Sequence, residues 1–241
     1  MRIHVIQHVP FEGPGLIAEW AAEQGHALTT THAIAEEYPA PDEADMLVVM
    51  GGPMDADDES MSPWLIPEKR FVAETIAAGG LILGICLGAQ IVAEVLGGRV
   101  KRAEQCEIGW YPVRLTETGG SEPLFERWPD EVVVGHWHGD TFDLPLGLEP
   151  TLSSEVTPNQ AFVFEDRVVG LQFHLEWNEQ ALSALFDESL EDLDDGGSTT
   201  MSEEEFAGGI DEYIPVCREL LFGLLDDMAD TGPRADGKSA R

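Results

Sequence analysis

Lysine is almost missing from this chain. Three of 241 residues are lysine (Lys69, Lys101, Lys238) and ten are arginine, against 46 acidic residues, for a formal charge of −33. No basic stripe exists to displace counterions from phosphates, which excludes nucleic-acid binding. The same deficit excludes docking on an anionic membrane surface. Cysteine is scarce as well. Cys86, Cys106 and Cys217 form no CxxC pair and leave one thiol over, so a disulfide framework is excluded and a reducing cytoplasm is expected. No apolar run approaches the ~20 residues of a membrane span. The opening residues, MRIHVIQHVP, lack a charged segment followed by a long apolar one, so no signal peptide is expected.

What is present is enough for a core. The hydrophobic fraction is 43%, with ten Phe and six Trp, which excludes wholesale disorder. The length favours one large domain over two. Acidic residues are spread along the whole chain rather than gathered in one tail, the pattern of a folded protein with a strongly hydrated surface. Self-repulsion at this charge destabilises the compact state in dilute buffer and is screened by salt. A halophilic source is therefore expected.

Short apolar runs alternate with amphipathic stretches, as in an α/β fold with a parallel sheet. Strands are expected at Ile3–Gln7, Met46–Met50 and Leu81–Ile85, and helices at Gly15–Gln24, Pro63–Ala78 and Leu87–Leu96. Beyond these, Arg99–Arg102, Tyr111–Leu115, Val132–Gly135, Ala161–Phe164 and Val168–Phe173 read as strands with no helix between them, hence a smaller antiparallel or mixed sheet. Asp187–Glu205 is acidic, and its Asp194–Ser198 stretch reads as a surface loop. Ser202-x-x-Glu205 reads as a capping box, and Ile210–Met228 has apolar residues at helical spacing. The domain is expected over residues 1–228, with a disordered tail over 229–241.

The sharpest local signal is Gly84-Ile85-Cys86-Leu87-Gly88 between a strand and a helix. This is the nucleophile-elbow pattern with cysteine as nucleophile. The strained turn needs small neighbours, which Gly84 and Gly88 provide. The sulfur then projects at a helix N-terminus, where the dipole and free N–H groups favour an anion, and the Leu87 N–H is left to face an oxyanion. A thiol nucleophile needs a base and a group that orients it. His174 and Glu176 follow a strand and project to one side of it.

The set Gly51-Gly52-Pro53, GICLGAQ (84–90), His138-Gly139-Asp140 and Phe173-His174-Leu175-Glu176 resembles the class I glutamine amidotransferases, most closely the stand-alone group similar to the glutaminase domain of GMP synthetase. The resemblance runs from Met1 to about Trp177. It implies one flavodoxin-like α/β domain and a Cys86-His174-Glu176 triad. Cys86 attacks the side-chain amide carbon of glutamine to form a γ-glutamyl thioester, His174 hands a proton to the leaving ammonia, and Glu176 orients His174. It further implies an oxyanion hole at the N–H groups of Gly52 and Leu87, and a substrate pocket formed by Gly51, Met54, Gln90, His138, Gly139 and Asp140. One departure is Trp137, where the GMP synthetase glutaminase has serine.

No cofactor is expected. His136-x-His138 has the look of a metal pair, but no third ligand at a plausible spacing accompanies it, so no metal is expected either. Cys106 and Cys217 read as small core residues. No ATP-pyrophosphatase or P-loop segment is visible, so a synthetase half is expected on another chain if one exists. The alternatives are a γ-glutamyl peptidase using the same triad, and a regulatory subunit that keeps the fold without turnover. The charge makes its own prediction. Thermal unfolding followed from low to molar KCl should show a midpoint that climbs with salt; a flat or falling midpoint would count against a halophilic protein.

Overall fold

A computed structural model describes residues 1–33, 38–189, 193 and 197–232. The chain runs β1 (Arg2–Gln7), α1 (Gly15–Glu23), β2 (Ala27–His32), β3 (Met46–Val49), α2 (Leu65–Ala77), β4 (Leu81–Ile85), α3 (Leu87–Val95), β5 (Arg99–Leu115), β6 (Glu131–Asp143), β7 (Leu152–Ser153), β8 (Ala161–Phe164), β9 (Val168–Leu171), α4 (Glu179–Ser189), α5 (Glu203–Gly208) and α6 (Ile210–Thr231). The nine strands of the described residues join one sheet in the order β2-β1-β3-β4-β9-β8-β7-β5-β6. The first five are mutually parallel and the pairings from β9 to β6 are antiparallel. The expected antiparallel part is thus an extension of the parallel sheet rather than a separate layer, because β8 pairs directly with β9.

The parallel strands alternate their side chains between two apolar layers. Ile3, Val5, Met46, Val48, Leu81 and Leu83 join the layer that also holds Leu16 and Trp20 of α1 and Leu221, Leu224 and Leu225 of α6. Ile6, Leu47, Val49 and Ile82 join the other, with Phe71 and Val72 of α2 and Ile91 and Val92 of α3. Such two-faced burial requires near-continuous apolar strands, which is why MLVV and LILGI stand out in the sequence. β2 does not stand out: ALTTTH is polar and half-exposed because it forms the sheet edge.

Element boundaries shift in physically intelligible ways. Arg99–Arg102 and Tyr111–Leu115 prove to be one long strand, β5, whose pairing with β6 slips between Arg102 and Glu107. α4 takes the start of the acidic segment, Asp187–Ser189; of the Asp194–Ser198 stretch expected as loop, residues 194–196 lie outside the described residues. The Ser202–Glu205 capping box forms on α5 as expected. α6 continues to Thr231, three residues into the expected tail, and residues 233–241 lie outside the described residues.

Parallel strands end at one edge, and α/β folds place their sites there. At that edge Cys86 leaves β4 with φ 51° and ψ −108°, a conformation strained for any residue with a Cβ. The turn is tight on both sides. A Cβ on Gly84 would sit 2.6 Å from the Gly88 carbonyl oxygen, and one on Gly88 would overlap the Val49 carbonyl oxygen. Gly88→Ala must therefore push α3 off the end of β3. It is expected to destabilise the fold by about 3 kcal/mol or more; a denaturant midpoint within error of wild type would contradict this packing.

Candidate active site

Cys86, His174 and Glu176 meet at the carboxyl edge of the sheet. The Cys86 N–H donates to the Leu171 carbonyl at 2.8 Å, which ties the elbow to the end of β9. Three residues further on, His174 donates Nδ1–H to Glu176 Oε1 at 2.7 Å. Both side chains are buried. The imidazole stacks on Trp177 with ring centroids 4.1 Å apart and 12° between planes, so its orientation is set by packing as well as by the carboxylate. Burial alone lowers the proton affinity of His174, but Glu176 and Cys86 outweigh it and raise the ring well above the ordinary histidine value. A thiol, an imidazole and a carboxylate so ordered are equipped for nucleophilic attack on an acyl carbon with proton transfer to the leaving group.

The turn after β3 faces the elbow. A Cβ on Gly52 would lie 2.9 Å from Leu87 Cδ2 and 3.2 Å from Met54 Sδ, so Gly52, Leu87 and Met54 are in direct proximity. The Gly51 carbonyl accepts Nδ1–H of His8 at 2.9 Å, and His8 Nε2–H donates to Glu68 Oε1 at 2.9 Å. Tyr38 adds its hydroxyl to Glu68 at 3.2 Å. Burial opposes protonation of His8, yet Glu68 and the Gly51 carbonyl raise its proton affinity. A relay of three residues, with His8 and Glu68 buried and Tyr38 half-buried, thus holds one peptide of this turn. Sequence reasoning missed it, because His8, Tyr38 and Glu68 come from three separate segments.

A cavity of about 590 Å³ opens between these groups. Of the residues expected there, Cys86, Gly52, Met54, Gln90, His138, Gly139, Asp140 and His174 line it; Leu87, Gly51 and Glu176 stand behind that lining. The Gln90 amide nitrogen donates to Gln172 Oε1 at 3.2 Å, and Gln172 donates to Cys86 Sγ at 3.6 Å. Gln172 was legible in principle, because it precedes His174 by the same two residues by which Glu176 follows it. Cys106, expected in the core, instead lines the cavity and is half-buried. Cys217 is buried as expected, and burial pushes its thiol up to about 12. Trp137 reaches the cavity wall, with its ring against Phe186 of α4 and Phe206 of α5.

Two acidic groups were not anticipated. Glu107 pairs with His138 at 3.3 Å across the ladder. Burial raises its carboxyl, but His138 and His136 hold it down at about 2. His136 beside them is fully enclosed, and burial pushes it down to about 3. Glu12, in the loop after β1, lines the cavity, and a Cβ on Gly51 would overlap its carboxylate oxygen. Burial raises the Glu12 carboxyl to about 7, with His174 and His8 opposing the shift and Glu176 adding to it.

The chain matches the family model described as glutamine amidotransferase class-I over residues 21–190. It is 34% identical over 200 residues to the glutamine amidotransferase-like protein YfeJ of Salmonella typhimurium, spanning 81% of this chain and 84% of that one. The solved structure of a glutamine amidotransferase from Thermotoga maritima superposes with a TM-score of 0.86 at 31% identity, covering 95% of this chain and 98% of the other. The glutamine-hydrolysing GMP synthase of Streptomyces avermitilis is 33% identical over 132 residues, 54% of this chain but only 23% of that enzyme. This chain therefore belongs to the class I glutamine amidotransferase family. Among its described residues, no helix is long and apolar enough to cross a membrane.

Glu12 gives the site a testable pH signature. Its folded-state pKa is raised, so the native state holds the proton more tightly than the unfolded one. Its contribution to stability is then fully present near pH 4 and is lost as pH rises through about 7. Glu12→Gln removes that loss. Relative to wild type it should gain about 1–2 kcal/mol between pH 5 and pH 8, with the solvent-exposed share of the group discounted. Denaturant unfolding at both pH values measures it, and a pH-independent difference would contradict the assignment.

Proposed function

We propose that this protein hydrolyses the γ-amide of glutamine through Cys86, His174 and Glu176. The observation that carries the reading is the strained Cys86 turn in the cavity with His174 held by Glu176 at 2.7 Å. His174 takes the thiol proton as sulfur attacks the amide carbon. The developing oxyanion faces the N–H groups of Gly52 and Leu87. Collapse breaks the C–N bond, His174 returns the proton to the departing ammonia, and a γ-glutamyl thioester remains. Water, deprotonated by the same imidazole, then releases glutamate and free thiol. Met54, Gln90, His138, Gly139 and Asp140 contact the amino-acid end, with Gly51 supporting the turn. No cofactor enters the chemistry. The ammonia passes to an acceptor or to a separate synthetase subunit, in keeping with the GMP synthase relatives, and the work is done in the cytoplasm.

A second reading, a γ-glutamyl peptidase or hydrolase, draws on a specific observation. The cavity of about 590 Å³ lies in the range that accommodates ligands larger than one amino acid, and Trp137 broadens its wall with an aromatic face. Comparing kcat/KM for glutamine with that for γ-glutamyl dipeptides and anilides on one preparation separates the two. The lone chain should hydrolyse glutamine slowly until a partner engages. Fast, partner-free cleavage of a γ-glutamyl peptide would favour the peptidase, and rapid turnover of plain glutamine by the lone chain would remove the need for a partner.

Substitutions test the triad directly. Cys86→Ala should abolish turnover, His174→Ala should cost about 10⁴-fold in kcat, and Glu176→Gln about 10²-fold, since Glu176 orients rather than transfers a proton. A glutamine-analogue electrophile should label Cys86 and spare Cys217. Labelling of Cys106 or Cys217 in place of Cys86 would overturn the assignment.

A further inference from the structure

Beside the cavity, a second set of donor atoms converges that the triad does not use. Glu107 of β5 lies directly across the antiparallel ladder from His138 of β6. His136, two residues before His138, projects to the same side of that strand. One ligand atom from each of the three lies within 4.8 Å of the other two, and all three residues are buried.

Three features distinguish this cluster from an ordinary buried ion pair. His138 donates Nδ1–H to the Asp140 carbonyl at 3.0 Å. In the neutral ring Nε2 then carries the lone pair, and it faces Glu107 Oε2 at 3.3 Å. Nε2 makes no hydrogen bond of good geometry to that carboxylate, so the two atoms are free to share a cation other than a proton. Second, His136 is fully enclosed, and neither of its ring nitrogens finds a hydrogen-bond partner of good geometry among the described residues. Third, the supporting shell is in place. Gln160 Nε2 donates to Glu107 Oε2 at 2.7 Å, and the Asp140 carbonyl fixes the tautomer of His138. Backbone carbonyls and amides commonly orient the ligands of a metal in this way.

We propose that Glu107, His136 and His138 bind a divalent first-row transition ion. Two imidazoles and a carboxylate form a donor set suited to zinc. The position suggests what the ion does. The β5–β6 ladder slips between Arg102 and Glu107, immediately before the cluster. A metal held by both strands re-joins them there and fixes the stretch of β6 that carries His138, Gly139 and Asp140 to the cavity. Its role is to hold the wall, and no step at Cys86 passes through it.

The test uses the full-length chain, stripped with chelator and titrated with zinc and with cobalt. Wild type should retain one equivalent of zinc after gel filtration and gain a higher thermal midpoint. Its cobalt form should show the intense visible bands of a four-coordinate ion without sulfur-to-metal charge transfer. His136→Gln and Glu107→Gln should each weaken binding by about 100-fold or more and lose the zinc-dependent rise in midpoint. If either variant fails to fold, the stoichiometry and cobalt spectrum of wild type still decide. The proposal is overturned if wild type retains no ion, if cobalt gives only the weak six-coordinate spectrum of surface carboxylates, if a sulfur band moves the ion to Cys86 or Cys106, or if both variants bind zinc like wild type.

Discussion

The rest of the site depends on the backbone lock that joins the carboxyl ends of β3, β4 and β9 around the Cys86 turn. The Gly88 N–H donates to the Met50 carbonyl at the end of β3, and the Cys86 N–H donates to the Leu171 carbonyl at the end of β9. These bonds pull α3 so close that neither Gly84 nor Gly88 tolerates a side chain. The unfavourable φ of Cys86 survives because its surroundings over-determine it. The same lock places Gly52 beside Leu87.

A second constraint comes from the loop between β1 and α1. The Leu16 N–H donates to the Glu176 carbonyl at 2.7 Å, and Gly15 is packed so tightly there that a Cβ would overlap that same oxygen. The loop that supplies Glu12 is thereby fastened to the segment that supplies His174 and Glu176, while His8 at its start holds the Gly51 carbonyl. Two halves of the site, the turn near Gly51–Gly52 and the imidazole, are clamped by one stretch of about ten residues. This explains why Glu12 lies against both Gly51 and His174.

The parts of this arrangement that were legible in the sequence are local. The elbow is written in five consecutive residues, and His174-x-Glu176 follows from the alternation of one extended segment. Apolar runs such as MLVV and LILGI mark strands buried on both faces. What was not legible is set by pairing across the sheet. Glu107 lies 31 residues before His138 in sequence and opposite it in the ladder, a register the pattern of β5 alone does not encode because a slip after Arg102 precedes it. The same holds for the His8–Glu68–Tyr38 relay, whose members are each unremarkable alone. β2 escaped because edge strands carry no continuous apolar signal, and the antiparallel strands seemed a separate sheet because their junction with β9 is a tertiary contact.

The acidity of the chain bears on the site more narrowly than on the surface. Among the described residues, Arg102 is the only lysine or arginine that lines the cavity, and Asp140 binds it at 2.9 Å. Asp55, raised by burial and by the neighbouring Asp140, and Glu12 complete an acidic lining. Apart from His174, whose proton is held by Glu176 and Cys86, a free α-carboxylate therefore finds little positive charge in the cavity beyond that one guanidinium, whereas an ammonium group finds several partners. Glutamine, the proposed substrate, is a net-neutral zwitterion, so the long-range field of a −33 chain neither attracts nor repels it to first order, and high salt changes that little. Recognition of such a ligand is left to short-range groups that salt screens least, so a strongly acidic surface is compatible with the proposed amino-acid site.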